Sequence, residues 1–297
     1  MKKKLVSIII NCFNGEKYLS KTLDSVLNQK YQNYEVIFID NCSTDSSAKI
    51  FKNIKDKRFK YFKTKKKIKL YASRNFALKK ANGNYIAFLD CDDWWYENFL
   101  SSRKSFFSSS DKYGFCFSNY LHYHQNRKKF KVFLRKILPS GFILSDLLDN
   151  YFIKISTVII KKKLIKFYKF NPYYNIIGDY DLMVRVSQKF KAMAFQEKLA
   201  VIRFHEDNFT HNNRKMFYNE YKVWINQQDF NNKVFEKNKV QLFQRLEYLR
   251  LIYLVLHKKN LKLFFDIIKF PSLMFKLKLL IIYLLPEFII RFNYKYL

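Results

Sequence analysis

The sequence predicts an α/β fold: a mostly parallel sheet with helices on both faces, followed by a helical C-terminal region. Three observations carry this. Strand-patterned and helix-patterned segments alternate through the first ninety residues. The strand segments are nearly continuous apolar runs rich in β-branched residues, the pattern of strands covered on both faces. From about residue 214 the pattern turns helical and stays so.

The elements follow in order. Val6-Ser-Ile-Ile-Ile-Asn11 reads as a buried strand, and Asn14-Gly15 as a turn. Leu19, Leu23, Val26 and Leu27 recur at helical spacing. Tyr34–Ile39 is a second strand ending at Asp40, and the N-cap-rich Ser43-Thr-Asp-Ser-Ser opens the next helix. Phe59–Phe62 is a short third strand. A helix over Ala72–Ala81 is closed by Asn82-Gly83, read as a left-handed cap. Tyr85–Leu89 is a fourth strand ending at Asp90. Repeated βα units imply a parallel sheet, whose ligands bind beyond the carboxyl ends of the strands. Asn11, Asp40 and Asp90 therefore converge on one crevice. Further on, Phe115–Tyr123 and Ile155–Ile160 read as strands, and Phe142–Asn150 and Tyr180–Phe190 as helices. The expected division is residues 1–212 and residues 213–297.

Composition narrows the function. The 297 residues are 49% hydrophobic and 19% aromatic, enough for a sizeable core and too many for a disordered chain. Cys12, Cys42, Cys91 and Cys116 form no C-x-x-C pair, which argues against structural zinc or a disulfide framework and for a reducing compartment. Net charge is +32. The excess is spread out: about fourteen basic side chains against one acid over residues 49–80, and twelve against two over 122–169. A polyanionic partner and Lys-rich compositional drift both account for it. No zinc-finger, RNP or KH signature supports a nucleic-acid binder. The apolar start Leu5–Ile10 is too short for a signal-peptide core, and no run reaches the ~20 apolar residues of a membrane span.

Phe88-Leu-Asp-Cys-Asp-Asp-Trp-Trp95 is the sharpest feature. Three carboxylates within four residues repel one another unless a cation neutralises them. Hard divalent cations take such oxygens together with substrate phosphates. Asp40-Asn-Cys-Ser-Thr-Asp45 places an acid where a ribose or base binds. Arg74 precedes the acidic strand end and suits a phosphate or carboxylate partner. Gly178-Asp-Tyr-Asp-Leu182 opens a helix on an acidic pair, and Arg203-Phe-His205 follows. Each has a plain alternative as a cap, a solvated turn or a packing residue.

In this order the features resemble one family. Val6–Leu19, Leu23–Gln29, Ile39–Asp45, Ser73-Arg-Asn75, Phe88–Asp93, Ile155–Ile159, Gly178–Leu182 and Ile202–His205 are similar to the ordered motifs of family 2 glycosyltransferases with a GT-A fold. The resemblance covers about residues 5–212, and the ordered set is far more specific than any one motif.

The resemblance implies the following roles. Phe13 and Asp40 contact the uracil and ribose of a UDP-sugar, with Arg74 near the nucleotide. Asp90 contacts the ribose. Asp92 binds Mn²⁺ or Mg²⁺ bridging the diphosphate. His205 lies near the diphosphate, and Asp179 is the general base. The implied activity is inverting, nonprocessive sugar transfer to a glycan or lipid-linked acceptor in surface-polysaccharide synthesis. Two departures stand out: Gly178 where the family often has Glu, and Glu97 where a Pro is common. The processive Q-x-x-R-W motif is missing. A catalytically silent scaffold is the alternative within this fold, and a basic nucleic-acid binder the alternative outside it. Leu261–Phe270 and Leu273–Leu285 are apolar helices flanked by Lys258, Lys259, Lys262, Lys269, Lys276, Lys278, Arg291 and Lys295. Such helices suit a core or an anionic membrane surface. The second choice makes the enzyme cytoplasmic and peripheral on the inner face of the membrane.

Overall fold

Strand and helix alternate as the pattern predicts, and the parallel strands form one side of the sheet of the first unit. The computed structural model describes residues 4–109, 112–132, 137–257 and 259–285. The chain forms two compact units, Met1–Leu147 with Tyr151–Arg203, and Leu148–Asn150 with Phe204–Leu297.

The first unit begins β1 (Val6–Cys12), α1 (Glu16–Leu27), β2 (Tyr34–Asp40), α2 (Ser47–Lys52), β3 (Phe59–Lys63), α3 (Leu70–Leu78) and β4 (Tyr85–Phe88). It continues β5 (Trp94–Trp95), α4 (Lys104–Phe107), β6 (Phe115–His124), β7 (Lys129–Val132), α5 (Leu144–Asp149), β8 (Ile159–Lys161), α6 (Lys162–Ile165), α7 (Gly178–Ser187) and β9 (Ala192–Phe204). The nine strands form one sheet in the order β3-β2-β1-β4-β8-β6-β9-β5, with β7 paired to β6. β1 is parallel to both β2 and β4, and β2 to β3. β8 joins β4 antiparallel. Every residue of β1 and β2 is buried, as expected for strands covered on both faces. The edge strand β3 is only half-buried and carries Lys60 and Lys63, which blunt it.

Side chains lace the turns that hold the crevice. Asn14 takes the left-handed conformation (φ 53°), which Asn tolerates. Asp45 accepts the N–H of Glu16 at 2.9 Å and of Ser47 at 3.0 Å, while Glu16 accepts the N–H of Ser46 at 2.8 Å. The starts of α1 and α2 thus share reciprocal caps.

Several expectations are corrected. Asn82-Gly83 is not a left-handed cap: α3 ends at Leu78, and the positive-φ glycine among the described residues is Gly141. Gly83 is needed for close approach instead, since a Cβ there would sit 2.5 Å from Ser7 N. Ile155–Thr157 is a 3₁₀ turn, so only the end of the expected Ile155–Ile160 strand is extended. The strands β5, β7 and β9 were not expected. β5 is two tryptophans long, and β7, though its Lys and apolar residues alternate, is only four residues and exposed throughout, so both are too short to stand out as strands.

The second unit is helical: α8 (Phe209–Asn212), α9 (Arg214–Asn226), α10 (Lys233–Lys237), α11 (Lys239–His257), α12 (Leu261–Ile268) and α13 (Leu273–Leu284). Leu251, Ile252 and Val255 of α11 meet Leu263 and Ile267 of α12 and Leu279 and Ile282 of α13 in a shared core. Asn260 caps α12, accepting the Leu263 N–H at 2.8 Å. The opposite faces are bare: Leu261, Phe265 and Ile268 on α12, and Leu273, Leu277, Ile281 and Leu284 on α13, are exposed, Leu284 by 72%. Among the described residues no helix is long and apolar enough to cross a membrane.

Candidate active site

The acidic loop between β4 and β5 treats its three carboxylates differently. Asp93 is buried. Its Oδ2 accepts the Ser156 hydroxyl at 2.6 Å and its Oδ1 the Arg203 N–H at 2.9 Å. Burial and the neighbouring Asp92 and Asp90 push its carboxyl well up. Asp93 is thus a strut inside the loop. Asp90 and Asp92 remain half-buried at the crevice. Burial and the Asp92 charge raise the Asp90 carboxyl against the opposing pull of Arg74. The Thr22 hydroxyl reaches Cys91 O at 2.9 Å and Asp93 O at 2.7 Å, and Arg203 Nε donates to Asp92 O at 2.8 Å. The loop is thus fixed by the Asp93 side chain and by its backbone carbonyls, with Asp92 half-buried between them.

Arg74, on α3, is 3% exposed and donates from Nη2 to Asp90 Oδ1 at 2.5 Å. Its guanidinium lies over the rings of Tyr71 (5.2 Å) and Phe170 (5.7 Å). Burial works against its charge, but Asp90, Tyr71 and Asp179 outweigh that and hold it above its ordinary value. Asn11, at the end of β1, donates to Ser73 Oγ at 2.6 Å and ties α3 to the sheet.

Asp40 closes β2 and is fully buried, accepting the Ser43 N–H at 2.7 Å and the Tyr61 hydroxyl at 2.5 Å. Burial and this carboxylate push the Tyr61 phenol up. Phe13 is 40% exposed in the loop after β1, with Lys67 Nζ 3.4 Å from its ring centroid. Asn14 Oδ1 accepts the Thr44 N–H at 2.9 Å, so the loops after β1 and β2 are laced together.

Asp179 lies in the first turn of α7. Its Oδ1 accepts the Tyr180 N–H at 2.8 Å and the Tyr71 hydroxyl at 3.2 Å. Its neighbour Asp181 is committed elsewhere: Oδ2 takes Arg185 Nε at 3.0 Å and Nη2 at 2.7 Å, an i,i+4 pair.

The first unit therefore holds six of the seven residues singled out from the sequence. Phe13 sits on the loop after β1 and Asp40 is the last residue of β2. Asp90, Arg74 and Asp179 are joined in series through Tyr71, with Asp92 two residues beyond Asp90. The seventh, His205, belongs to the second unit. Its N–H donates to Asn208 Oδ1 at 2.7 Å, and its buried Nδ1 is 3.9 Å from Asp207 Oδ2. Sequence reasoning gave no role to Tyr71, Ser156, Thr22 or Arg203. Ser156 and Arg203 lay inside quoted motifs, but nothing in their spacing marked the contact with Asp93.

Among the described residues no three His, Cys, Asp or Glu side chains gather as a metal cage. Asp92 lies two residues beyond Asp90, both half-buried, and its charge is one of the causes that raise the Asp90 carboxyl. A hard divalent cation completed by phosphate oxygens fits one or two such ligands.

The family described as Glycosyl transferase family 2 matches residues 7–183. The chain belongs to this family. Among its relatives, the glycosyltransferase is 41% identical over 117 residues to WfaP of Escherichia coli, covering 39% of this chain and 46% of that one. WfaP is named UDP-Glc:alpha-D-GlcNAc-diphosphoundecaprenol beta-1,3-glucosyltransferase. The chain is 31% identical over 163 residues to TuaG of Bacillus subtilis, a putative teichuronic acid biosynthesis glycosyltransferase, covering 54% of this chain and 64% of that one. The match thus spans less than two thirds of either relative. In solved structures, the glycosyltransferase shares its fold with S. aureus TarS 1-349 in complex with UDP (TM-score 0.63, 18% identity, 86% of this chain and 76% of that one). It also shares it with mannosyltransferase PcManGT from Pyrobaculum calidifontis in complex with GDP-Man and Mn²⁺ (TM-score 0.61, 13% identity, 89% and 78%). The fold is the mixed α/β, GT-A-like fold that the sequence led us to expect, and the chain is a glycosyltransferase.

Proposed function

We propose that this glycosyltransferase moves a sugar from UDP to a hydroxyl of a lipid-linked glycan, with inversion and with a divalent cation at Asp92. The observation that carries the reading is the series Asp90–Arg74–Tyr71–Asp179, which supports one crevice with a donor side and an acceptor side. UDP in the TarS complex and UDP-glucose in the name of WfaP support the donor class. The diphosphoundecaprenol-linked sugar in that name supports the acceptor class. TuaG supports a surface-polysaccharide setting.

The chain's own residues divide the work. Phe13 offers an exposed ring for the base to stack on. Asp40, fully buried with both oxygens held, braces the loop that would meet the base and ribose. Arg74 fixes the Asp90 carboxylate beside the ribose. When bound at Asp92, Mn²⁺ or Mg²⁺ supplies charge for the departing diphosphate. Asp179 Oδ2 takes the proton of the acceptor hydroxyl as its oxygen attacks the anomeric carbon. The bond from that carbon to the diphosphate oxygen breaks, and UDP leaves. One base with no second nucleophile gives inversion.

The second unit supports attachment to an anionic membrane surface. Asp266 of α12 is paired with Arg250 at 2.9 Å, so its charge is already met within the unit. The exposed apolar faces of α12 and α13 are flanked by Lys259, Lys262, Lys269, Lys276 and Lys278. Lys258, Arg291 and Lys295 lie outside the described residues.

The test is a panel of nucleotide-sugars scored for nucleotide release with and without Mn²⁺ or Mg²⁺, in the presence of a sugar-diphospholipid acceptor. Acceptor-stimulated, EDTA-sensitive release from a UDP-sugar is expected. Release from no nucleotide-sugar under any condition would sink the reading.

A further inference from the structure

Gly178 opens α7 against an aromatic ring. A Cβ built there would lie 2.4 to 2.6 Å from three ring carbons of Tyr71. No side chain fits at 178 while that ring stays, and the ring is well held. It is buried, stacks on Phe170 at 5.3 Å, and has the Arg74 guanidinium beside it. Its hydroxyl is 2.9 Å from Ile176 O and 3.2 Å from Asp179 Oδ1.

We propose that Tyr71 is a positioning residue for the general base, holding Asp179 Oδ1 so that Oδ2 faces the acceptor. This rests on Asp179 being the base. Oδ1 has two donors, the Tyr71 hydroxyl and the Tyr180 N–H, whereas Oδ2 has no hydrogen-bond partner among the described residues. The two carboxylate oxygens are thus made unequal, and rotation of the carboxylate costs two hydrogen bonds. The phenol has one proton and two acceptors. An ionised carboxylate is the stronger acceptor, so the proton favours Asp179 before transfer. Once Asp179 carries the acceptor's proton, rotation about the phenol C–O bond redirects the Tyr71 proton to Ile176 O with no ring movement. The charged and titratable groups around Asp179 are Tyr71 and Arg74 from α3, Asp90 from the acidic loop, and Tyr151. Of these only Tyr71 donates a hydrogen bond to the carboxylate. Gly178, a departure from the family's usual Glu, is accounted for as the space the Tyr71 ring requires.

Tyr71→Phe in the full chain keeps the ring and removes the hydroxyl. With the UDP-sugar and diphospholipid acceptor found active in the panel, kcat should fall about 10- to 100-fold, the worth of one hydrogen bond to a charged group. UDP affinity by calorimetry should be unchanged. The KM for the acceptor should change far less than kcat, because the hydroxyl acts on the base and not on the bound acceptor. In an Asp179→Asn background the same change should have no further effect. Tyr71→Phe with normal kcat would overturn the proposal. So would equal losses of kcat, UDP affinity and thermal stability, which mean a merely structural ring. Asp179→Asn with near-normal transfer defeats the base assignment instead. A dead Asp179→Asn beside a normal Tyr71→Phe defeats only the role of Tyr71.

Discussion

The Ser156 hydroxyl donates to Asp93 Oδ2 at 2.6 Å while its oxygen accepts the Asp90 N–H at 3.2 Å. One small side chain from the 3₁₀ turn before β8 therefore sets both ends of the acidic loop. Ser156→Ala leaves a buried carboxyl short of a partner, at a cost of about 1–3 kcal/mol. Chemical denaturation should show that loss, and wild-type stability in the variant would refute the strut.

Asp92→Asn removes the charge of the proposed metal ligand and leaves the backbone contact of residue 92 with Arg203 in place. Metal-dependent turnover should disappear while circular dichroism and melting stay near wild type. Full activity of the variant, or of the wild type in EDTA, would refute Asp92 as a metal ligand.

Asp179→Asn should lower transfer by about 10²–10⁴-fold, the range of general-base catalysis, with little change in UDP binding. Asp181→Asn should behave differently, because its carboxylate holds Arg185. It should cost stability before rate. If Asp181→Asn is the inactive variant and Asp179→Asn the active one, the assignment is reversed.

Glu35 is buried under donors from Lys60 (2.7 Å), Ser7 (2.6 Å) and the Asn82 N–H (2.6 Å). Burial pushes its carboxyl up, but these partners outweigh it and hold it below the ordinary range. A carboxyl depressed in the folded state contributes stability above the unfolded pKa of about 4.3 and loses it as pH falls through the folded value. Glu35→Gln should therefore be destabilised at neutral pH and show a shallower loss of melting temperature below about pH 4. Parallel melting curves of the two proteins across pH 2–7 would disprove this.

Vesicles test the second unit. The protein should sediment with anionic vesicles, less so as salt rises, and Leu277→Lys with Ile281→Lys should weaken sedimentation even at low salt, since added charge cannot replace inserted apolar surface. Absence of sedimentation with any vesicle, or apolar faces buried in a dimer by light scattering, would exclude membrane attachment.

The core of the sheet was legible because β1, β2 and β4 are buried on both faces, and such strands show as unbroken apolar runs. Asp40 and Asp90 were legible because they end those runs. The antiparallel half was less so: β9 is long but half-exposed, and β5 has two residues. Tyr71 was not legible as a site residue. It sits in a helix among apolar neighbours, and only the missing Cβ of Gly178, a hundred residues away in sequence, gives it a purpose.

Gly83 packs on Ser7 at the start of β1, where the Ser7 hydroxyl accepts its N–H at 2.7 Å and donates to Glu35 at the start of β2. This knot gathers the entry points of β1, β2 and β4 at the end of the sheet remote from the crevice. Side chains alternate along a strand, so a slip of one residue here turns every later side chain to the other face. Five residues downstream of Glu35 that slip would turn Asp40 away from Tyr61. The knot at the blunt end of the sheet is a ruler for the acids at the working end, and changes at Ser7 or Gly83 should misplace them without touching either.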